Sequence, residues 1–287
     1  MTGRPAASPA APLTRRRLRR GGFGTILVLG VASLAMLVPI VWMLASSLKP
    51  EAEIVGGRPA FIPDAATLAN YGALFEQFSF VQLTLNSVLV AGGVIALSVG
   101  LGGLAAYGLS RHPFRGDRLV LAVFLLTRMV TPAALVVPLY LIMERLGLLN
   151  SVISIVVGIT VLNLPFVVWV LKPFFDAIDR DVEEAAIVDG LGPVGVFWRI
   201  TIPLAAPGLL TVILLSFIAG WTDLLFPMSF STTVDAQPLT SGLLAMQTGY
   251  KVYWGSLMAG GVYLMLPTLA LATLLQRYLI RGMRLGY

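Results

Sequence analysis

Acidic side chains are scarce in this chain, and six of the 14 lie in one short segment. They are Asp176, Asp179, Asp181, Glu183, Glu184 and Asp189. Clustered acids can bind metal, act as general acids and bases, or contact a partner. Metal or acid–base chemistry needs carboxylates converging on one point. Here Ala185, Ala186 and Gly190 fill the spacing, which suits close approach of a partner better than coordination. Two further charged groups stand in apolar surroundings, Arg128 and Asp223, the latter two residues after Trp221. A Trp beside a carboxylate suits stacking on a sugar face with hydroxyls donating to the acid; it suits a packing element as well. Arg128 suits a solute contact, an ion pair that gates a path, with Asp223 as a candidate partner, or a structural pair. Other catalytic equipment is missing. There is no cysteine and one histidine, His112, so disulfides, thiolate sites and His-based triads are excluded. No GxxxxGK[ST] run occurs, so the chain has no phosphate-binding loop of that kind for ATP.

The elements that position these groups are set by composition. Of 287 residues, 57% are hydrophobic and 12% charged, with mean hydropathy +0.87. Soluble domains carry about 25% charged residues. A soluble enzyme, a disordered chain and a nucleic-acid-binding domain are all excluded. The expected fold class is an all-α polytopic membrane protein. A helix crossing about 30 Å of hydrocarbon needs about 20 mostly apolar residues. Six segments qualify: 24–48, 83–109, 119–142, 151–174, 204–230 and 256–280. They form a transmembrane domain over 24–287, preceded by a basic tail, 1–23. The first segment is too long for a secretory signal and lacks an A-x-A site, so it is expected to remain as a span.

Fifteen of the 20 basic residues fall on one side of this arrangement. They include Arg15, Arg16 and Arg17 in the tail, Arg111, Arg115 and Arg118 after span two, and Arg281 and Arg284 at the end. Cytoplasmic loops carry such an excess, so both termini are expected to be cytoplasmic. The net charge of +6 is then an orientation signal, not a nucleic-acid footprint. Lys49–Val81 and Ser231–Gly255 become outer segments, with Tyr250, Tyr253 and Trp254 as an interfacial belt or an outer docking surface. Asn86 and Asn163 are polar groups inside spans, where interhelical hydrogen bonding is the default. Pro132, Pro138, Pro165, Pro227 and Pro267 are expected to kink helices.

The acidic segment becomes a cytoplasmic loop, 176–203, longer than a connector requires. Its grammar is helix, turn, helix. Asp181 is placed to cap a helix, with Glu184 three residues on. Gly190 and Gly192 supply the turn. Val196, Phe197 and Ile200 can share one face of a second short helix, and Pro203 ends it.

This segment resembles the EAA loop of bacterial ABC importer permeases, whose pattern is EAA-x3-G-x9-I-x-LP. Glu184-Ala185-Ala186, Gly190, Ile200 and Pro203 match, and Ile202 replaces the Leu. Asp189, Phe197 and Pro207-Gly208 are also similar to the family. So are Asn86-Ser87, the run Thr127-Arg128-Met129-Val130-Thr131-Pro132, and Trp221-x-Asp223-x-x-x-Pro227, where Thr222 replaces the usual Asn. The similarity is to the carbohydrate group that includes the smaller permease of maltose importers. It implies a type I ABC importer permease fold in the bacterial inner membrane. It implies that Glu184, Ala185, Ala186, Asp189, Gly190, Phe197, Ile200 and Pro203 serve coupling to an ATPase. Asn86, Arg128, Asn163, Trp221 and Asp223 become candidates for the translocation path or its gate. The implied partners are a second permease subunit, two ATP-binding subunits and an extracytoplasmic solute-binding protein. The chain itself would bind no cofactor, ATP and Mg being used by the ATPase subunits. The alternative is a self-contained secondary transporter or channel. Against it, no repeated halves are evident, and Asp223 is the lone candidate for an ion-coupling carboxylate.

Overall fold

The computed structural model describes residues 23–56, 60–244, 246–247 and 251–284, and the arginine-rich tail before Phe23 lies outside them. Two units are distinguished, Met1–Trp42 and Met43–Tyr287. The described part of the first consists of most of helix α1 (Phe23–Ser47), which is apolar on every side.

The second unit begins with two short helices, α2 (Glu51–Gly56) and α3 (Ala69–Gln77). Two long helices follow, α4 (Phe80–Arg111) and, later, α7 (Val152–Asp176). They pack against each other more extensively than any other pair. Without a hydrophobic drive between helices in lipid, close packing depends on small residues. Gly93 and Gly102 on α4 meet Val156 and Val167 of α7, where an added Cβ would lie 2.8 Å from a valine methyl. On its other side α4 receives α11 (Ala206–Thr222). There an added Cβ at Gly220 would sit 2.8 Å from the Ala91 Cα. α14 (Trp254–Arg284) packs against α11 and α3. Its first turn is capped by Glu51, whose carboxylate accepts from the Trp254 and Gly255 amides at 2.9 Å each.

Span three departs from expectation. It is two helices, α5 (Asp117–Thr127) and α6 (Pro132–Arg145), inclined by 98°. Arg128–Thr131 forms the break. Pro132 stands in the first turn of α6, where its missing N–H costs nothing, so it starts a helix instead of kinking one. Span five departs as well. α11 stops at Thr222, and a separate α12 (Leu225–Phe230) follows. Among the described residues four helices are long and apolar enough to span a membrane. Up to six spans result if two bent pairs each count once, α5 with α6 and the helical stretch Pro193–Leu204 with α11, the latter bent by 80°.

Between α7 and α11 the chain makes α8 (Arg180–Val188), α9 (Pro193–Val196), a π-helical turn (Phe197–Thr201) and α10 (Ile202–Leu204). Asp179, not Asp181, caps α8; its carboxylate accepts from the Asp181 amide at 3.2 Å. Asp181 and Glu183 then occupy the first turn, where acids favour the positive end of the helix. Gly190 ends α8 with φ +93°. The Leu191 amide reaches back to the Ala186 carbonyl at 3.0 Å, as in a Schellman stop. A core of Ala106, Val167, Val168, Leu171, Phe175 and Val212 joins α4, α7 and α11 near this end of the unit.

Candidate functional site

The loop before α11 has an outer and an inner face. Glu184, Ala185, Asp189, Gly190 and Pro203 are exposed. With them stand exposed apolar side chains: Ile187, Val188 (86% exposed), Val194 and Trp198 (61%). Ala186 and Phe197 are buried and Ile200 half-buried, so these three hold the loop to the unit. Phe197 packs on Tyr107 of α4 at 4.8 Å between ring centroids. Sequence reasoning missed Trp198. Its signal was a large apolar residue on the side of a short helix opposite Val196.

The inner face is locked by Glu183, which the sequence offers only as one of six clustered acids. Arg111, the last residue of α4, grips both of its carboxylate oxygens: Nε donates at 2.7 Å and Nη2 at 3.0 Å. Thr201 donates its hydroxyl to the same carboxylate at 2.6 Å. Arg111 Nη2 also donates to the Ile178 carbonyl at 3.2 Å, and Arg180 donates to the Ser110 carbonyl at 3.2 Å. Burial pushes the Glu183 carboxyl up. The hydrogen bonds from Arg111 and Thr201, with the charges of Arg111 and Arg180, outweigh it and hold the carboxyl below the usual glutamate range.

A pH dependence follows. Because the folded pKa is depressed, this contribution is complete above the ordinary glutamate value and is lost as pH falls through the folded one. Protection factors of the 177–203 amides, measured against the intrinsic exchange rate at each pH, should therefore fall on acidification below the usual glutamate range. Glu183→Gln should exchange faster at neutral pH and lose most of that acid response. An acid response identical in the variant would show that other groups govern the loop.

The second feature is a cavity of about 780 Å³ at the two helix breaks. Arg128, Asn163, Phe166, Trp169, Thr222 and Asp223 are among its lining residues. Non-helical backbone at membrane depth is tolerated where it is buried in protein or faces such a space. Arg128 closes α5, so its charge meets the negative end of that helix. Its Cζ lies 4.2 Å from the Phe166 ring centroid. Phe166 is stacked with Trp169 at 6.4 Å and 20°. Asp223 closes α11, and its carboxylate accepts from the Phe226 amide at 3.0 Å, in the first turn of α12. The two charges thus share one cavity, but they do not form an ion pair among the described residues.

Asn163 is buried at the cavity wall and donates to Ser216 of α11 at 2.8 Å. Two other candidates lie off the wall. Trp221 is buried, stacks on Phe217, and donates its indole N–H to the Leu264 carbonyl at 2.8 Å, pinning α11 to α14. Asn86 is buried and donates to the carbonyls of Val234, Asp235 and Gln237. Both are removed from the cavity lining by these bonds, which explain their polarity.

Four to six apolar spans, with this loop leading into α11, define a class of membrane transport subunit. Residues 98–285 match the binding-protein-dependent transport system inner membrane component family. The chain belongs to that family. It is 34% identical to the inner membrane ABC transporter permease protein YcjP of Escherichia coli, over 95% of this chain and 97% of that one. It is 32% identical to the trehalose transport system permease protein SugB of Mycobacterium tuberculosis, over 93% of this chain and 97% of the relative. A chain in the crystal structure of a bacterial ABC transporter involved in the import of the acidic polysaccharide alginate has the same fold. Its TM-score is 0.76 at 24% identity, covering 94% of this chain and all of that one. The protein is a multi-pass permease component of the bacterial inner membrane.

Proposed function

We propose that this chain is one of a pair of permease subunits in an ATP-driven importer for a sugar, a polyol or a sugar phosphate. Relatives that serve trehalose and sulfoquinovosyl glycerol transport support the carbohydrate class. In this reading both termini and the 176–203 loop face the cytoplasm. A binding protein delivers the solute to the opposite face. Two separate ATP-binding subunits, which hold ATP and Mg, close on nucleotide and push on the loop of each permease. The permease pair then turns outward, and hydrolysis resets it. This chain contributes half of the path and no catalytic group.

One observation carries the reading. Glu184, Ala185 and Gly190 stand exposed on a short helix, among uncovered Ile187, Val188, Val194 and Trp198. An amphipathic helix of this kind suits a groove on a partner, and the alanine permits close approach. Glu184 supplies a carboxylate for a basic group there. Along the path, the cavity at the two breaks offers an aromatic wall and two charges to a polar solute.

The chain has no cysteine, so a single introduced one reports cleanly. Ala185→Cys should cross-link to the ATP-binding subunit in native membranes, with the adduct identified by mass spectrometry. If Ala185→Cys reacts with a soluble maleimide yet yields no adduct with an ATP-binding protein, the coupling role is wrong.

A further inference from the structure

The clamp on Glu183 joins the loop to two spans through one carboxylate. We propose that Arg111, Glu183 and Thr201 are positioning residues that carry movement of the loop into α4 and α11. The proposal rests on the coupling reading above and adds the route by which the loop acts on the spans.

Three features place the clamp there. Glu183 is buried (7% exposed) while its neighbour Glu184 is exposed, so α8 presents one carboxylate inward and one outward. A push on the outer face is delivered to whatever holds the inner one. Arg111 closes α4, and Thr201 lies in the π-helical turn that leads through α10 into α11. Both side chains end on Glu183, at 2.7 and 3.0 Å for Arg111 and 2.6 Å for Thr201. The Ile178 carbonyl, just after α7, accepts a second bond from Arg111 Nη2 at 3.2 Å. Three spans therefore converge on one ion pair.

The chemistry favours transmission over mere adhesion. The two side chains are 8% and 9% exposed. A buried ion pair gains little net stability over apolar packing, because both ions lose water. What it does supply is fixed geometry, since the guanidinium fork meets a carboxylate in one plane. Adhesion is already available beside it, where Tyr107 packs on Phe175 at 5.7 Å and on Phe197 at 4.8 Å. π-Helical turns of one extra residue occur often at functional sites, and this one carries Thr201 to the carboxylate.

The test uses the assembled importer, with its ATP-binding subunits, companion permease and binding protein, in lipid nanodiscs. Glu183→Gln, Thr201→Val and the exchange Arg111→Glu with Glu183→Arg are each built on Ala185→Cys. Cross-linking yield to the ATP-binding subunit reads docking. The ratio of binding-protein-stimulated to unstimulated ATP hydrolysis reads transmission. Cross-linking should persist in Glu183→Gln while the ratio falls about tenfold, the scale of a lost coupling between sites. Thr201→Val should give a smaller fall, and the exchange should recover much of the ratio. An unchanged ratio in Glu183→Gln overturns the proposal. So does a joint loss of cross-link and ratio that the exchange fails to rescue, which assigns the clamp to folding of the loop alone. Absence of any cross-link in the Ala185→Cys parent is a different failure, that of the coupling reading beneath it.

Discussion

Gly190→Asp should insert and assemble normally and yet lose more than tenfold of its binding-protein-stimulated ATP hydrolysis. Gly190 sits at φ +93°, a conformation that side chains bearing a Cβ rarely adopt. Forcing a non-glycine residue into it costs about 1–3 kcal/mol. The aspartate also adds a second negative charge beside Asp189, at the negative end of α8. Both effects loosen the stop that fixes the outer face of this helix, and no contact with the span core is touched. An added Cβ meets nothing within 4 Å, so the effect is conformational and electrostatic, not a clash. Gly190→Asn separates the two. Asn tolerates the left-handed region and carries no charge, so it should retain much more of the stimulation. Glu184→Lys should resemble Gly190→Asp, since it reverses the outward carboxylate without altering the fold. Stimulation equal to that of the parent in both Gly190→Asp and Glu184→Lys would remove the loop from coupling.

The second large effect is expected at Arg128. Arg128→Ala should lower solute uptake at least tenfold while leaving assembly and the loop cross-link intact. Arg128 stands at a helix break facing the cavity, and an arginine in an apolar segment does not favour insertion, so removing it should not impair insertion. A loss of transport without a loss of protein therefore separates a path role from a structural one. Arg128→Lys keeps the charge but not the planar group over Phe166, and an intermediate rate is expected. Uptake of labelled sugar by cells carrying each variant, normalised to membrane-inserted protein, makes the measurement. If Arg128→Ala reduces the amount of folded protein in proportion to uptake, Arg128 belongs to the packing of the broken span.

The sequence displayed the spans because hydropathy is additive along the chain, and α1, α4, α7 and α14 each extend over most of an expected segment. It displayed the loop because Glu184, Ala185 and Gly190 are local signals at fixed spacing. The break in span three was harder to see. The apolar run continues through Met129 and Val130, so hydropathy hides a turn that Pro132 only permits. The cap of α8 was displaced by two residues because Asp179 and Asp181 are equally good caps in isolation. The Glu183 clamp was invisible for another reason. Arg111 and Glu183 are 72 positions apart, and nothing local pairs them. Trp221 and Asn86 were polar groups whose direction sequence could not supply, and tertiary contacts turned both away from the cavity.

The most direct measurement isolates the energy source. The chain is purified from native membranes by an affinity tag, alone and with its co-purifying partners. Each preparation is reconstituted in liposomes with a panel of labelled mono- and disaccharides. Uptake is expected to require the companion permease, the ATP-binding subunits, the loaded binding protein and hydrolysable ATP, and Gly190→Asp is expected to abolish it. Uptake of any of these sugars by the purified chain alone, without ATP, would contradict this requirement.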